Sequence, residues 1–203
     1  NKPEVNFLGH VVGKEGIKVD PAKVRAVLDW PTPKTVSDVR GFLGLTNYFR
    51  RFIRSYAGTC APLTDLLKGV EKKRQPISWT AECQQAFDTL KLALTTAPVL
   101  RAPDFERPFK LTTDASDIAL GAVLEQDGQP IAFESRKLSG PELRYTVTEK
   151  ELYGVVHALR AFQYYLEFTR HPFTIVTDHR PNTWFESKPS LSRREARWAE
   201  FMS

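Results

Sequence analysis

Asp114, Glu151 and Asp178 are the residues of this chain whose types and spacing best suit chemistry. Asp114 closes the alternating run Phe109-Lys110-Leu111-Thr112-Thr113-Asp114. Asp178 closes a second such run, Phe173-Thr174-Ile175-Val176-Thr177-Asp178, and Glu151 lies near the start of a strongly helical stretch. Two strand-end aspartates and a helix glutamate can converge on one point. Carboxylates brought that close need cations to offset their repulsion, which points to metal-assisted phosphodiester chemistry. Taken singly, a strand-end Asp is commonly a turn former and a Glu early in a helix a dipole complement. The signal is the combination.

The elements that would position these groups are readable from periodicity. Strands are expected at residues 109–114, 118–126 and 130–136, with a turn at Gln126-Asp127-Gly128-Gln129. A long helix is expected over 147–166, with a stripe of Leu152, Val155, Val156, Leu159 and Phe162. A fourth strand follows at 173–178, then helical pieces at 180–187 and 191–202. That order, β-β-β-α-β-α, implies a mixed sheet with helices packed on it.

The first half reads differently. Val5 to Val12 and Ile17 to Val19 form a small hairpin around Gly13 and Gly16. Asp20-Pro21 opens a helix with Val24, Val27 and Leu28 as its apolar stripe. Thr35 or Ser37 caps a second helix, which Gly44 and Asn47 interrupt. Cys60 to Leu67 reads as a short helix, and Thr80 caps a long one in which Cys83, Phe87, Leu90, Leu94 and Ala97 recur at helical spacing. Pro98, Pro103 and Pro108 mark an extended connector and a boundary between two domains.

Charge follows the same division. Residues 1–100 hold 15 Lys/Arg against 9 Asp/Glu, while residues 101–203 hold 14 against 15. A basic half suits holding a polyanion beside a half that does chemistry on it, although basic residues are often only a solvated surface. The longest uncharged run, Ser55 to Thr64, is ten residues, half of what a membrane span needs. Cys60 and Cys83 form no Cys-x-x-Cys pair, which argues against a zinc or disulfide scaffold and favours an intracellular setting. Asn1 is not a natural start, so a piece of a longer polypeptide is expected.

Several motifs resemble one family. Phe7-Leu8-Gly9-His10, Trp30-Pro31-x-Pro33 and Arg40-Gly41-Phe42-Leu43-Gly44-Leu45-x-x-Tyr48-Phe49-Arg50-Arg51-Phe52-Ile53 resemble the post-palm segment of a reverse transcriptase, nearest to gypsy-like LTR retrotransposon Pol polyproteins. Thr113-Asp114-Ala115-Ser116, Gly121-Ala122-Val123-Leu124, Glu149-Lys150-Glu151-Leu152 and Thr177-Asp178-His179 resemble the RNase H domain that follows it. The resemblance covers nearly the whole chain in family order.

It implies an α+β fold. Residues 1–97 would be the palm end and a mostly helical thumb, 98–104 a connector, and 105–203 an RNase H-like mixed sheet with flanking helices, incomplete at its C-terminus. It implies cleavage of the RNA strand of an RNA–DNA hybrid with two Mg²⁺ ions (Mn²⁺ as substitute), held by Asp114, Glu151 and Asp178 and by a fourth Asp expected beyond Ser203. Such ions sit about 3.5–4 Å apart and clamp the attacking and leaving oxygens. Asp114 would bridge both. The implied partners are an RNA–DNA hybrid or primer–template duplex and the remainder of Pol, with no membrane, in the cytoplasm, in virus-like particles or in the nucleus.

Arg40, Asn47, Tyr48, Arg50 and Arg51 are the candidate nucleic-acid contacts, with Tyr48 alternatively joining Phe49 and Phe52 in a core. Trp79, Phe87 and Leu90 read as core, and Trp184 and Trp198 as core or domain contacts. His10, His157 and His171 read as structural, and His179 as a neighbour of the site. Two departures from the family stand out. No Asp-Asp pair occurs, so the polymerase's aromatic-x-Asp-Asp motif is absent from these residues, and Asn182 stands where relatives carry an aliphatic residue. The competing reading is a non-catalytic RNase H-like connector or scaffold that binds nucleic acid or protein.

Overall fold

The computed structural model describes residues 3–70, 74–177 and 191–202. Three short strands open it: β1 Glu4–Phe7, β2 His10–Gly13 and β3 Gly16–Val19, in one antiparallel sheet. The expected hairpin is therefore a three-stranded meander. Leu8 and Gly9 both take positive φ, 47° and 76°, so the apolar run from Val5 to Val12 folds back on itself at Gly9.

Asp20 caps α1 (Pro21–Leu28) by accepting from the Ala22 amide. Val27 is buried, whereas Leu28 is exposed and leaves the expected stripe. Thr35, not Ser37, caps α2 (Val36–Tyr48), in a capping box with Asp38. α2 runs straight through Gly44, because its hydrogen bonds need only a helical backbone there and a buried face of Val39, Phe42, Leu43 and Thr46 holds it. A 3-10 turn, Arg50–Phe52, follows. The short helix expected at Cys60 to Leu67 is α4 (Ala61–Asp65), and a one-turn helix the sequence did not announce, α3 (Tyr56–Thr59), precedes it and meets it at Cys60. α5 (Ala81–Thr95) starts at Thr80 as expected and buries Cys83, Phe87, Leu90 and Leu94.

The second sheet holds β4 Lys110–Ala115, β5 Ala119–Gln126, β6 Gln129–Lys137 and β7 Thr174–Val176, in the order β6-β5-β4-β7. The first three are antiparallel neighbours, and β7 is parallel to β4. A 3-10 turn, Gly140–Arg144, leads into α6 (Val147–Ala161), capped by a Thr146–Glu149 box. The expected helix over 147–166 breaks at Phe162, which closes α6 and opens the one-turn α7 (Gln163–Leu166). The ring of Phe162 packs into the sheet with Phe109, Leu111 and Leu124, and that anchor turns the chain. α8 (Arg193–Met202) packs on α6 through Trp198, against Leu152 and Val156. The expected helical piece at 180–187, with Trp184, lies outside the described residues.

The halves share a core. Val123 of β5 and Phe133 of β6 are buried in one cluster with Phe49, Phe52, Ile53 and Tyr56 of the first half. The connector is pinned as well: Leu100 is buried and exchanges backbone hydrogen bonds with Ile17 of β3, at 2.7 and 2.9 Å.

Candidate active site

Asp114 is the penultimate residue of β4 and sits opposite Gly121 of β5. Alternation along β4 buries Leu111 and Thr113 and leaves the Asp114 side chain exposed. The turn beyond it is built by Ser116, whose Oγ accepts from the Ala119 amide at 3.0 Å. That turn is tied to α6 by a 2.8 Å ion pair between Asp117 and Lys150. The Lys150 ammonium, donating to the Asp117 carboxyl, holds that carboxyl below its ordinary range.

Glu151 is on α6 and only 4% exposed. Gly154, one turn further on the same face, lies over the end of β4: a Cβ there would be 4.0 Å from the Asp114 carbonyl and from the Ala115 Cβ. The helix that carries Glu151 thus crosses the backbone of Asp114 at the end of β4. β7 runs parallel beside β4 with Thr112 opposite Val176, so it points toward the same end of the sheet as Asp114. Asp178 and His179 lie outside the described residues, as does Asn182. Among the described residues no three His, Cys, Asp or Glu side chains form a group able to hold a metal ion. Asp114 and Glu151 supply carboxylate oxygens, the donor chemistry that Mg²⁺ prefers.

Arg54 and Ser55 line a small recess together with Asp114, Thr112 and Gly121, and the sequence did not single them out. Their only signal is that Arg54 continues the spacing Arg50-Arg51-x-x-Arg54. Their approach depends on the first half docking on the second sheet, where the Ala57 amide donates to Ser135 Oγ at 2.9 Å.

The candidate nucleic-acid contacts are spread along α2 and the turn after it. Arg40 is exposed and donates to the Val70 carbonyl, and Asn47 is exposed. Tyr48 is half exposed rather than core; its hydroxyl donates to the Leu8 carbonyl at 2.6 Å, while Phe49 and Phe52 are buried. Arg50 reaches Glu134 of β6 at 3.5 Å, and Arg51 is half-buried. His10 stacks with Phe52, a structural role as expected. His157 faces Glu134 at 3.5 Å.

Comparison with known proteins extends this geometry. Residues 79–175 match the RNase H-like domain found in reverse transcriptase. The retrovirus-related Pol polyprotein from transposon 297 of Drosophila melanogaster is 44% identical over 197 residues, covering 97% of this chain and 18% of that protein. The Pol polyprotein from transposon gypsy of the same organism is 41% identical over 209 residues, covering 99% and 20%. The chain thus spans about a fifth of these curated relatives. A foamy viral protease-reverse transcriptase solved with an RNA/DNA hybrid has the same fold, with a TM-score of 0.82 at 24% identity, covering 100% of this chain and 28% of that one.

Proposed function

We propose, from the premise that this chain carries an RNase H-like domain of the reverse-transcriptase kind and has retrotransposon Pol polyproteins as its homologues, that it binds an RNA–DNA hybrid and serves cleavage of the RNA strand. Residues 1–97 act as palm end and thumb on the duplex, 98–104 as connector, and 105–203 as the nuclease unit. The setting is intracellular, in cytoplasm, virus-like particle or nucleus. Among the described residues no helix is long and apolar enough to cross a membrane.

The observation that supports this reading is the packing of α6, which carries Glu151, over the backbone of Asp114 at the end of β4, within the matched segment. Asp114, Glu151 and Asp178 are the proposed ligands of two Mg²⁺ ions. When bound, such ions activate water and stabilise charge on the leaving oxygen. The exposed Asp114 offers its oxygens toward solvent and substrate, and Glu151 is held by a buried helix turn. The exposed Arg40, Asn47, Tyr48 and Arg50 are proposed to contact the sugar–phosphate backbone, with half-buried Arg51 supporting the turn.

The test is Mg²⁺-dependent cleavage of an RNA–DNA hybrid by the 203-residue chain and by Asp114→Asn, with Mg²⁺ binding followed separately by thermal stabilisation. Mg²⁺ stabilisation, with whatever cleavage the three carboxylates support, is expected in the parent and lost in the variant. Equal cutting by both would refute the ligand assignment. Hybrid binding without cutting or Mg²⁺ stabilisation in either would favour the connector reading.

A further inference from the structure

Between α6 and α8, Tyr145, Tyr153, Arg160, Arg194, Arg197 and Trp198 line a recess of about 270 Å³. Its aromatic wall is rigid: Tyr153 stacks on Trp198 with ring centroids 5.4 Å apart and 16° between planes, and Tyr145 meets Trp198 edge-on at 6.0 Å. Two of its arginines are held against rings, Arg194 at 4.0 Å over Tyr145 and Arg160 at 4.8 Å over Phe201. Arg197 is fixed by its Nε donating to the Arg193 carbonyl.

Three guanidiniums line this space, and among the described residues one carboxylate, Glu149, pairs with one of them, Arg194, at 3.2 Å. Arg160 and Arg197 are exposed and form no ion pair among the described residues. Like charges gathered in one recess repel, and an anion relieves that repulsion. Guanidinium forks held by aromatic faces match a phosphate oxygen pair, and little side-chain freedom remains to be lost on binding.

We propose that this recess is a phosphate-binding site formed by Arg160, Arg194 and Arg197, separate from the carboxylate site. Its occupant is one phosphate group of a nucleic-acid strand, an identification that rests on the hybrid-binding reading; a free phosphate or mononucleotide shares the chemistry.

Two measurements on the 203-residue chain test this. In the first, inorganic phosphate is titrated at fixed ionic strength while the arginine Nε–H and tryptophan Nε1–H resonances are followed. Saturable shifts of the Arg160, Arg197 and Trp198 signals are expected, and they should vanish in an Arg160→Gln/Arg197→Gln double variant. The second is the salt dependence of RNA–DNA hybrid affinity. The double variant should bind more weakly, with a log–log salt slope shallower by about 0.9, the value of one lost phosphate contact on a duplex. An unchanged thermal midpoint separates lost contact from lost fold, and Arg160→Lys/Arg197→Lys, which keeps charge without the fork, should recover part of the affinity.

Absence of any saturable shift with phosphate overturns the proposal, whatever the hybrid affinity. Saturable shifts in a chain that binds no hybrid would uphold the site, transfer its occupant to a free phosphate compound and count against the hybrid-binding reading alone. Saturable shifts with an unchanged hybrid salt slope would overturn the strand as occupant.

Discussion

Glu142 shows how much one side chain can do in this fold. It caps the turn before α6 by accepting from the Ser139 amide at 2.9 Å, takes both oxygens to Arg136 Nη2 at 2.8 Å, and accepts from the Tyr153 hydroxyl at 2.9 Å. Burial pushes its carboxyl up, but Arg136, Ser139 and Tyr153 together outweigh that and bring it down from 4.5 to about 2. A carboxyl lowered on folding adds stability that is fully present above its unfolded value and fades as pH falls through its folded value. The window here is therefore about pH 4.5 down to about 2. Glu142→Gln is expected to cost about 2–3 kcal/mol at neutral pH, most of the linkage energy of that shift. Urea unfolding at pH 7 and near pH 3 checks it: the gap between parent and variant must narrow at the lower pH. The candidate catalytic carboxylates were legible because each ends or opens a periodic run. Glu142 was not, because its three partners come from β6, α6 and its own cap, and no local spacing announces them.

Local rules located most elements well. Thr80 before a 3.6-residue apolar repeat gave α5, and alternation gave β4 to β6 within a residue or two of their bounds. The misses have tertiary causes. Phe162 fits a helical stripe, yet its burial under the sheet ends α6. The turn at Gly9 escapes periodicity because it falls inside one apolar run, although a positive φ is what glycine permits most cheaply. Gly16 is the sharper case at this level. Its φ is 131°, and a Cβ there would lie 2.1 Å from the Leu100 carbonyl oxygen. Gly16→Ala would thus collide with the backbone contact that pins the connector to β3, and a loss of about 2–4 kcal/mol is expected. Faster amide exchange at Ile17 and Leu100 than at α5 would report the local detachment. A variant as stable as the parent would show that this contact is dispensable. At the start of α6, Thr146→Ala should cost about 1 kcal/mol by removing the cap, read as a lower thermal midpoint. Under the proposed reading it should also weaken Mg²⁺ binding, because Glu151 sits just beyond that turn.

For the whole molecule, the proline-marked connector divides the sequence into two domains, and their packing gives them a shared core. Phe133 and Val123 belong to the core of the first half, Lys137 pairs with Asp65 at 2.5 Å, and Arg50 reaches Glu134. Ion pairs this exposed contribute about 0–1 kcal/mol each, so the shared apolar cluster decides the coupling. If it does, the halves unfold together. Trp79 packs on the first-half core and Trp198 under α6, so each reports one half. Their transitions in urea should coincide in the parent. Phe133→Ala removes a ring buried between the halves and should cost about 3–5 kcal/mol. The cost should appear at both reporters, whereas independent units would show it at Trp198 alone. A rigid joint has a functional consequence under the proposed reading. A duplex held along α2 would then meet Asp114 at a fixed distance, with cleavage position set by the shared core rather than by the connector. Phe133→Ala should accordingly broaden the distribution of cut sites on a hybrid before it abolishes cutting. An unchanged cut pattern with uncoupled unfolding would assign the spacing to the nucleic acid instead.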